Sequence, residues 1–565
     1  MFLLNLKRYL KSPVFLIGTL CYLVLLYVLQ PVHNISGIDD ISNSTLTTQP
    51  FSFLFFLFMS YEFFYQTGKQ KLNEIIYTSR FSMVREKCYG LLIFIGLDAV
   101  LYIVFLALSV WGTSVVLGYF NYNWFILLAK AFFLYHFLLY LFAILIGLCV
   151  SFIESRIKAF AALTLIFALF SKILMPVIMS CVQGSERWTH IFDIFSIMNR
   201  SYYLTVDLFY NYSAEEVNLQ RMLFWIFLAF SILGMYLNKG KKHIVTGCLF
   251  LVTGTIFCLY VQPAGYRYTG GNDWDAYMEE QQYYTLLYHN NQTGIGRKYK
   301  DADFKVTKYA GTLRAKRVLE ADITVSAGQP DSGEYRFTLY HGYRIKKVTD
   351  ENGNELCFEQ DGDHVLVKSD TKQSIESLHF EYSGYSRKYM ATSQAVFLGG
   401  NFPYLPQPGW NLYMSEIIDN NWNIYHNLKG LGYKVCYDLH FDAGQTVYSN
   451  LKDNGDGHFT GTTEGATFAA SPFIKQIRLK NNCILYYSEL SKSCFPDRID
   501  ETKKEFENAF DSLPTTLKNV KIFDCSVGDG DMIYYFACDH IIGHAHEIAS
   551  FYPSYLEHGI TPNFA

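Results

Sequence analysis

The sequence has no surplus of charge of either sign. Its 565 residues carry 47 Lys and Arg against 51 Asp and Glu, a net charge of -4, and that balance argues against a nucleic-acid binder, which needs a basic excess. It has no C-x-x-C pair among its 12 cysteines, so zinc-finger and thioredoxin-like readings have no support. It has no G-x-x-x-x-G-K-[ST] phosphate loop, so the chain holds no nucleotide site of that kind. It also lacks a small-residue cleavage site after its first apolar run. Lys7, Arg8 and Lys11 precede that run and His33 and Asn34 follow it, so the run is expected to stay in the mature chain as a span.

What is present is two unlike polymers joined near Pro263. Residues 1–263 hold 18 Lys and Arg against 12 Asp and Glu, whereas residues 264–565 hold 29 against 39. The first part is dominated by apolar runs near the crossing length of about 20 residues. Seven can be marked, at Pro13–Gln30, Phe51–Tyr65, Tyr89–Phe120, Trp124–Ile153, Ala159–Val182, Met222–Leu237 and Ile244–Val261. Lys and Arg are retained on the cytoplasmic side of membranes. With the N-terminus inside, the inner segments hold 13 basic residues, among them Lys7, Arg8, Lys69, Arg80, Arg156 and Lys239, and the outer ones only Arg187, Arg200 and Arg221. Everything after Val261 then lies outside the cytoplasm of a bacterial-type cell. The expected fold is a polytopic α-helical membrane domain of about seven spans, then a β-rich extracytoplasmic domain with a small α/β C-terminal segment.

Charges within the spans carry two readings, because a lone ion in hydrocarbon is costly. Asp98 lies about 14 Å in from the cytoplasmic end of its helix, and Lys130 and Lys172 lie in the outer halves of theirs. Asp98 therefore pairs with neither lysine; the three either line a membrane pathway or are a locally bonded carboxylate and two snorkelling lysines. His136 reads as a packed histidine.

The segment Met1–Ser12 reads as a short amphipathic helix at the inner surface, with cations toward anionic headgroups, or as a basic flank that only fixes orientation. Between the second and third spans runs a charged inner connector, Glu62-Phe-Phe-Tyr-Gln-Thr-Gly68 continuing to Lys87. Elbow, connector and dense spans together resemble the permease subunits of type-2 ABC exporters over about residues 1–240. The resemblance implies an elbow at 1–12, a transmembrane domain at 13–263 and a coupling loop at 67–88 that docks a separate ATP-binding subunit, with ATP and Mg held there and no cofactor in this chain. Glu74, Tyr77, Arg80 and Arg85 are the interface residues it implies; a solvated charged loop is the other reading of them. The family commonly has six spans with both ends inside, and a seventh here carries a large domain outward.

After a Tyr-rich connector over 264–300, two-residue alternation begins, at Phe304–Tyr309, Leu319–Val325, Tyr335–Tyr340 and Val365–Val367, with Asn352-Gly353 and Asn454-Gly455 as hairpin turns. The runs Phe397–Trp410, Tyr433–Leu439, Val447–Leu451 and Phe468–Pro472 resemble the N-terminal β domain of gluzincin aminopeptidases, which places such a domain at 301–472 and the opening of a second, α/β segment at 473–565. Tyr404 and Trp410 are candidate substrate contacts, or rings packed in a Pro-rich turn. The catalytic signature of that family is missing. Two imidazoles four residues apart must reach one zinc while the glutamate activates its water, yet His546-Glu547-Ile-Ala-Ser550 has Ser550 at the second ligand position, and no G-x-M-E-N occurs. His540, His544 and His546 are the remaining metal candidates, against a reading as packed or surface histidines. One or two disulfides among Cys357, Cys436, Cys483, Cys494, Cys525 and Cys538 are open to an exported domain.

These readings converge on a non-enzymatic transport subunit in the membrane. It works with an ATP-binding subunit and a second permease chain, same or related, and its outer domain binds or gates a peptide or lipid-like substrate. A membrane-anchored metallopeptidase and a peptide sensor or immunity protein are the alternatives.

Overall fold

Apart from gaps of a few residues and some isolated positions, the computed structural model describes residues 2–29, 37–69, 83–171, 193–198, 209–237, 243–261, 300–411, 431–511 and 517–543, with Tyr283, Met414–Glu416 and Ile424–His426. The chain forms two units, Met1–Val206 with Tyr212–Ala264, and Asp207–Asn211 with Gly265–Ala565.

The first unit is helical: α1 Phe2–Lys11, α2 Pro13–Leu29, α3 Ile38–Lys69, α4 Met83–Trp111, α5 Tyr122–Phe132, α6 Leu139–Val150, α7 Arg156–Phe170, α8 Glu216–Leu237 and α9 His243–Val261. Pro13 suits the first position of a helix but cannot continue the one before it, and α1 is bent 73° from α2 there. Side chains cap two further starts: Asn121 accepts from the Trp124 amide at 2.9 Å, and Ser155 from Lys158. A π-helical turn, Phe133–Leu138, joins α5 to α6. At Gly147 of α6 a Cβ would run into Ser60 Oγ and the Leu57 carbonyl of α3, so the absence of a side chain lets these two helices meet backbone to backbone.

Among the described residues four helices are long and apolar enough to cross a membrane, Val84–Val116, Tyr122–Val150, Glu216–Tyr236 and Ile244–Val261, and the bent pair of α1 and α2 makes up to five. The sequence reading of about seven spans is thus supported only in part, as four or five candidates among the described residues. Phe51–Tyr65 is helical but carries Ser52, Ser60 and Glu62 through its apolar stretch, and Ala159–Val182 is described as helix only to Phe170.

The second unit is β-rich. Its seven-stranded sheet runs Lys452–Asp453, His458–Thr463, Val435–Asp442, Val306–Ala315, Leu319–Ala327, Ser377–Gly384, Tyr343–Asp350. All its pairs are antiparallel except Val306–Ala315 with Val435–Asp442. Alternation buries Tyr309, Leu313, Ile323, Val325, Tyr437 and Leu439 on one face. A four-stranded sheet (Cys357–Asp361, His364–Lys368, Glu334–Thr338, Gln407–Pro408) and a three-stranded one (Tyr448–Ser449, Phe468–Ala470, Val396–Leu398) share this core.

The C-terminal lobe is a five-stranded sheet in the order Ile474–Arg478, Ile484–Ser488, Lys521–Asp524, His540–Ile542, Tyr535–Phe536. Ile484–Ser488 and Lys521–Asp524 are parallel, which requires a crossover. Helix α10, Ile499–Asp511, supplies it and buries Phe506 and Phe510 against Leu485 and Ile522. Cys357, Cys436, Cys483 and Cys538 form no disulfide; Cys494 and Cys525 lie outside the described residues.

Candidate functional site

Within the helical unit, polar groups gather where α2, α3, α4 and α6 pack. Asp98 of α4 is 1% exposed, and neither carboxylate oxygen has a hydrogen-bond partner. It lies within electrostatic reach of the Tyr22 and Tyr140 hydroxyls. Tyr22 donates to Ser52 Oγ at 2.8 Å, and Ser52 donates onward to the Thr48 carbonyl. On the π turn, His136 shares a 2.8 Å bond between Nδ1 and the Tyr140 hydroxyl, while its Nε2 is unbonded. Phe105, two turns beyond Asp98 on α4, packs on the His136 ring. Inserting one residue into a helix redirects the side chains that follow, and such π turns recur at functional positions. The arrangement leaves one buried carboxylate and one buried imidazole nitrogen with unused bonding capacity. Lys130 is exposed on α5, and no ion pair joins it to Asp98; Lys172 lies outside the described residues.

At the other end of these helices, α1 is held between the end of α3 and the start of α4. The Arg8 guanidinium donates to the Phe63 carbonyl and sits 4.2 Å over the Phe63 ring. The Tyr9 ring stacks on Phe15 and meets Phe94 edge-on. Glu86 and Lys87, both buried, pair at 3.4 Å beside Arg8. Nearby, Glu62 and Arg156 close a 2.9 Å bridge between α3 and α7. Of the implied ATPase contacts, Arg85 is exposed in the first turn of α4; Glu74, Tyr77 and Arg80 lie outside the described residues. Sequence reasoning missed Glu86, whose signal was a lone acid among Arg85, Lys87 and the distant Arg8.

In the β-rich unit the polar groups meet at a seam between the sheet lobe and the C-terminal lobe. The tight turn Ala537–His540 presents Asp539, which accepts from Thr463 Oγ1 at 2.7 Å and Asn450 Nδ2 at 2.9 Å. His540 is fully buried; its Nδ1 meets Asp539 at 2.8 Å and its Nε2 meets Thr467 Oγ1 at 2.7 Å. Thr467 Oγ1 also accepts from the Gly400 amide at 2.9 Å. Only one arrangement satisfies every atom with a neutral ring: Nδ1–H donates to Asp539, and the threonine hydroxyl donates to Nε2. Burial works to raise the Asp539 carboxyl, but His540 and the Thr463 and Asn450 donors outweigh it and hold it below the usual range. Lys521 donates to the carbonyls of Ser449, Asn450 and Leu451 at 2.7, 3.0 and 2.9 Å. Burial brings its ammonium below the usual value against the opposing pull of Asp539 and Asp453.

The remaining sequence candidates are placed as follows. Both ring nitrogens of His540 are taken up by Asp539 and Thr467; His544 and His546 lie outside the described residues. Among the described residues no group of three or more His, Cys, Asp or Glu is arranged to hold a metal. Tyr404 is 1% exposed and donates to the Ala466 carbonyl at 2.7 Å, so its ring offers no surface. Trp410 donates to the Val365 carbonyl at 3.1 Å, lies parallel to the His364 ring and carries the Arg336 guanidinium 5.6 Å over its face.

No protein-family model matches the chain, and no curated protein matches its sequence. Solved structures do. The M1 zinc metallopeptidase from Deinococcus radiodurans is 12% identical, with a TM-score of 0.29, over 44% of this chain and 62% of that one. A two-domain M1 zinc metallopeptidase mutant bound to L-tryptophan is 12% identical, with a TM-score of 0.29, over 45% of this chain and 66% of that one. The chain therefore spans less than two thirds of the length of these structures, and a likeness of this size says nothing about activity.

Proposed function

We propose that this chain is the membrane subunit of an ABC exporter, moving a peptide or other amphipathic substrate with ATP hydrolysed on a separate subunit, and that its β-rich unit binds or gates that substrate outside the cytoplasm. The observation that carries the reading is the inner corner. A short amphipathic helix, bent 73° from the helix after it, is tied by Arg8 and Tyr9 to the two helices that flank the 70–82 connector. A subunit pressing on that connector would act on the elbow and on α4 together, and α4 carries Asp98.

Chain order is consistent with a single side for the β-rich unit and residues 209–211, and the distribution of basic residues is what makes that side the outer one. Residues 209–211 and 300–543 belong to one unit, and α8 and α9 are the helices between them. If both cross, the chain returns to the side it left. The test is purification of the intact chain from its native membranes. An ATP-binding subunit is expected to co-purify and to be lost with Glu74→Ala and Arg80→Ala, and vesicles holding the complex are expected to transport in an ATP-dependent way. Absence of any ATPase, or ATPase binding unchanged by those substitutions, would sink the interface.

The competing reading is a membrane-anchored metallopeptidase, favoured by the mixed five-stranded sheet that follows the β lobe. Stoichiometric zinc and peptide hydrolysis by the same preparation would establish it instead.

A further inference from the structure

We infer that the β-rich unit carries a socket whose ligand is this chain's own segment Phe209–Asn211, so that the unit is anchored at two points and not only through the 264–300 connector. The segment lies in sequence just before α8, yet it is packed into the β-rich core: Phe209 is 1% exposed and Tyr210 0%. The Phe209 ring meets Phe397 edge-on at 5.9 Å. Its carbonyl accepts from Ser471 Oγ at 2.7 Å, and the Tyr210 carbonyl accepts from Gln394 Nε2 at 2.8 Å.

The socket is itself built. Gln394 is positioned by Thr392 through its amide and by Gln445 through its carbonyl, and Ser471 also accepts from the Phe473 amide. Asn211 closes the segment at φ 61°, a left-handed conformation that asparagine tolerates better than most residues and that turns the chain sharply. The next residue, Tyr212, already belongs to the helical unit. Two aromatic rings and two carbonyl bonds are the make-up of a peptide anchor: rings supply the buried area, and main-chain acceptors fix the register.

A consequence concerns α8 and α9. The chain enters α8 from the 209–211 anchor and leaves α9 into the 264–300 connector, so both outer ends of this helix pair are attached to the β-rich unit. The inference goes beyond the transport reading and does not depend on it, since it requires only the division of the chain into its two units.

The test uses the full chain in membranes with a site-specific protease sequence inserted between Gly270 and Gly271. After complete cleavage the 271–565 fragment is expected to sediment with the membranes, held by the anchor. Phe209→Ala with Tyr210→Ala, and separately Gln394→Ala with Ser471→Ala on the socket side, are expected to release it about tenfold faster or more. Resistance of the uncut variants to a general protease shows that the unit is still folded, and the socket pair keeps every core ring in place. Release of the wild-type fragment on cutting overturns the inference, as does equal retention in folded variants.

Discussion

Thr467 offers the sharpest test of the seam between the two lobes. Its Oγ1 accepts from the buried Gly400 amide and donates to the inner nitrogen of the buried His540 ring. Thr467→Val keeps the shape and removes the oxygen. It strands one amide and one imidazole nitrogen where water does not reach, at about 1–3 kcal/mol each, so the expected loss is roughly 2–6 kcal/mol. Thr467→Ser keeps the hydroxyl and gives up only one methyl, about 1 kcal/mol. Heating the purified full chain in detergent and following proteolysis of the β-rich unit should place Val well below Ser, with Ser near wild type. The same logic bears on the metal reading of His540: a ring held by Asp539 and Thr467 should give a Thr467→Val loss that added zinc does not restore. Equal midpoints for Val and Ser, or a Val variant as stable as wild type, would refute the bonding scheme.

Asp539 makes the seam sensitive to acid. A carboxylate held below its usual range contributes stability that is fully present above its unfolded value of about 3.9 and is lost as pH falls through the lower folded value. Wild type should therefore lose stability in that acid window relative to Asp539→Asn, with the variant weaker at pH 7 by about 1–3 kcal/mol; parallel midpoint curves against pH would count against the assignment. In the centre of the large sheet, Gly311 has φ 143°, and a Cβ there would run into the Asp322 carbonyl. Gly311→Ala should cost about 2–5 kcal/mol, read as a fall in the same melting midpoint. In the helical unit, Asp98→Asn replaces a buried carboxyl group that has no hydrogen-bond partner, so the yield and thermal midpoint of the solubilised chain should hold or rise; a collapse of folded protein would mean that the carboxyl is bonded.

Much of the β-rich unit could be read from two-residue alternation, because one face of each strand is buried and the other is wet. Alternation marks Leu319–Val325 as a strand, and the strand found is Leu319–Ala327. Alternation carries no information about partners at a distance. Nothing local marks Val435–Asp442 as the parallel neighbour of Val306–Ala315, and nothing marks Phe209 and Tyr210, in an aromatic-rich loop, as core residues of another unit. The candidate sites divide in the same way. Asp98 was visible because a charge interrupts an apolar run, whereas Tyr22 and Tyr140 became its neighbours only through helix packing. The alternating histidines near 540 suggested a metal, but the partners that occupy His540 include Thr467, 73 residues away in sequence. Spacing could not reveal that its ring was already bonded on both sides.

The bonding state of the buried ionisable groups separates the seam of the β-rich unit from the Asp98 cluster of the helical unit. At the seam of the β-rich unit Asp539, His540 and Lys521 all have partners, and each bond joins the lobes or stiffens the turn that does. Groups so fully committed have little capacity left for a substrate or a metal, and removing one should weaken the fold rather than a reaction. In the helical unit Asp98 and the Nε2 of His136 are buried and unbonded. Stability does not favour keeping such groups in an apolar bundle, since burying them uncompensated costs several kcal/mol. Their presence is what the proposed transport function would use, as groups that meet what passes through or switches the bundle. If the reasoning holds, substitutions at the seam and in the bundle should behave oppositely: Thr467→Val should lose stability, and Asp98→Asn should lose transport while the protein stays folded.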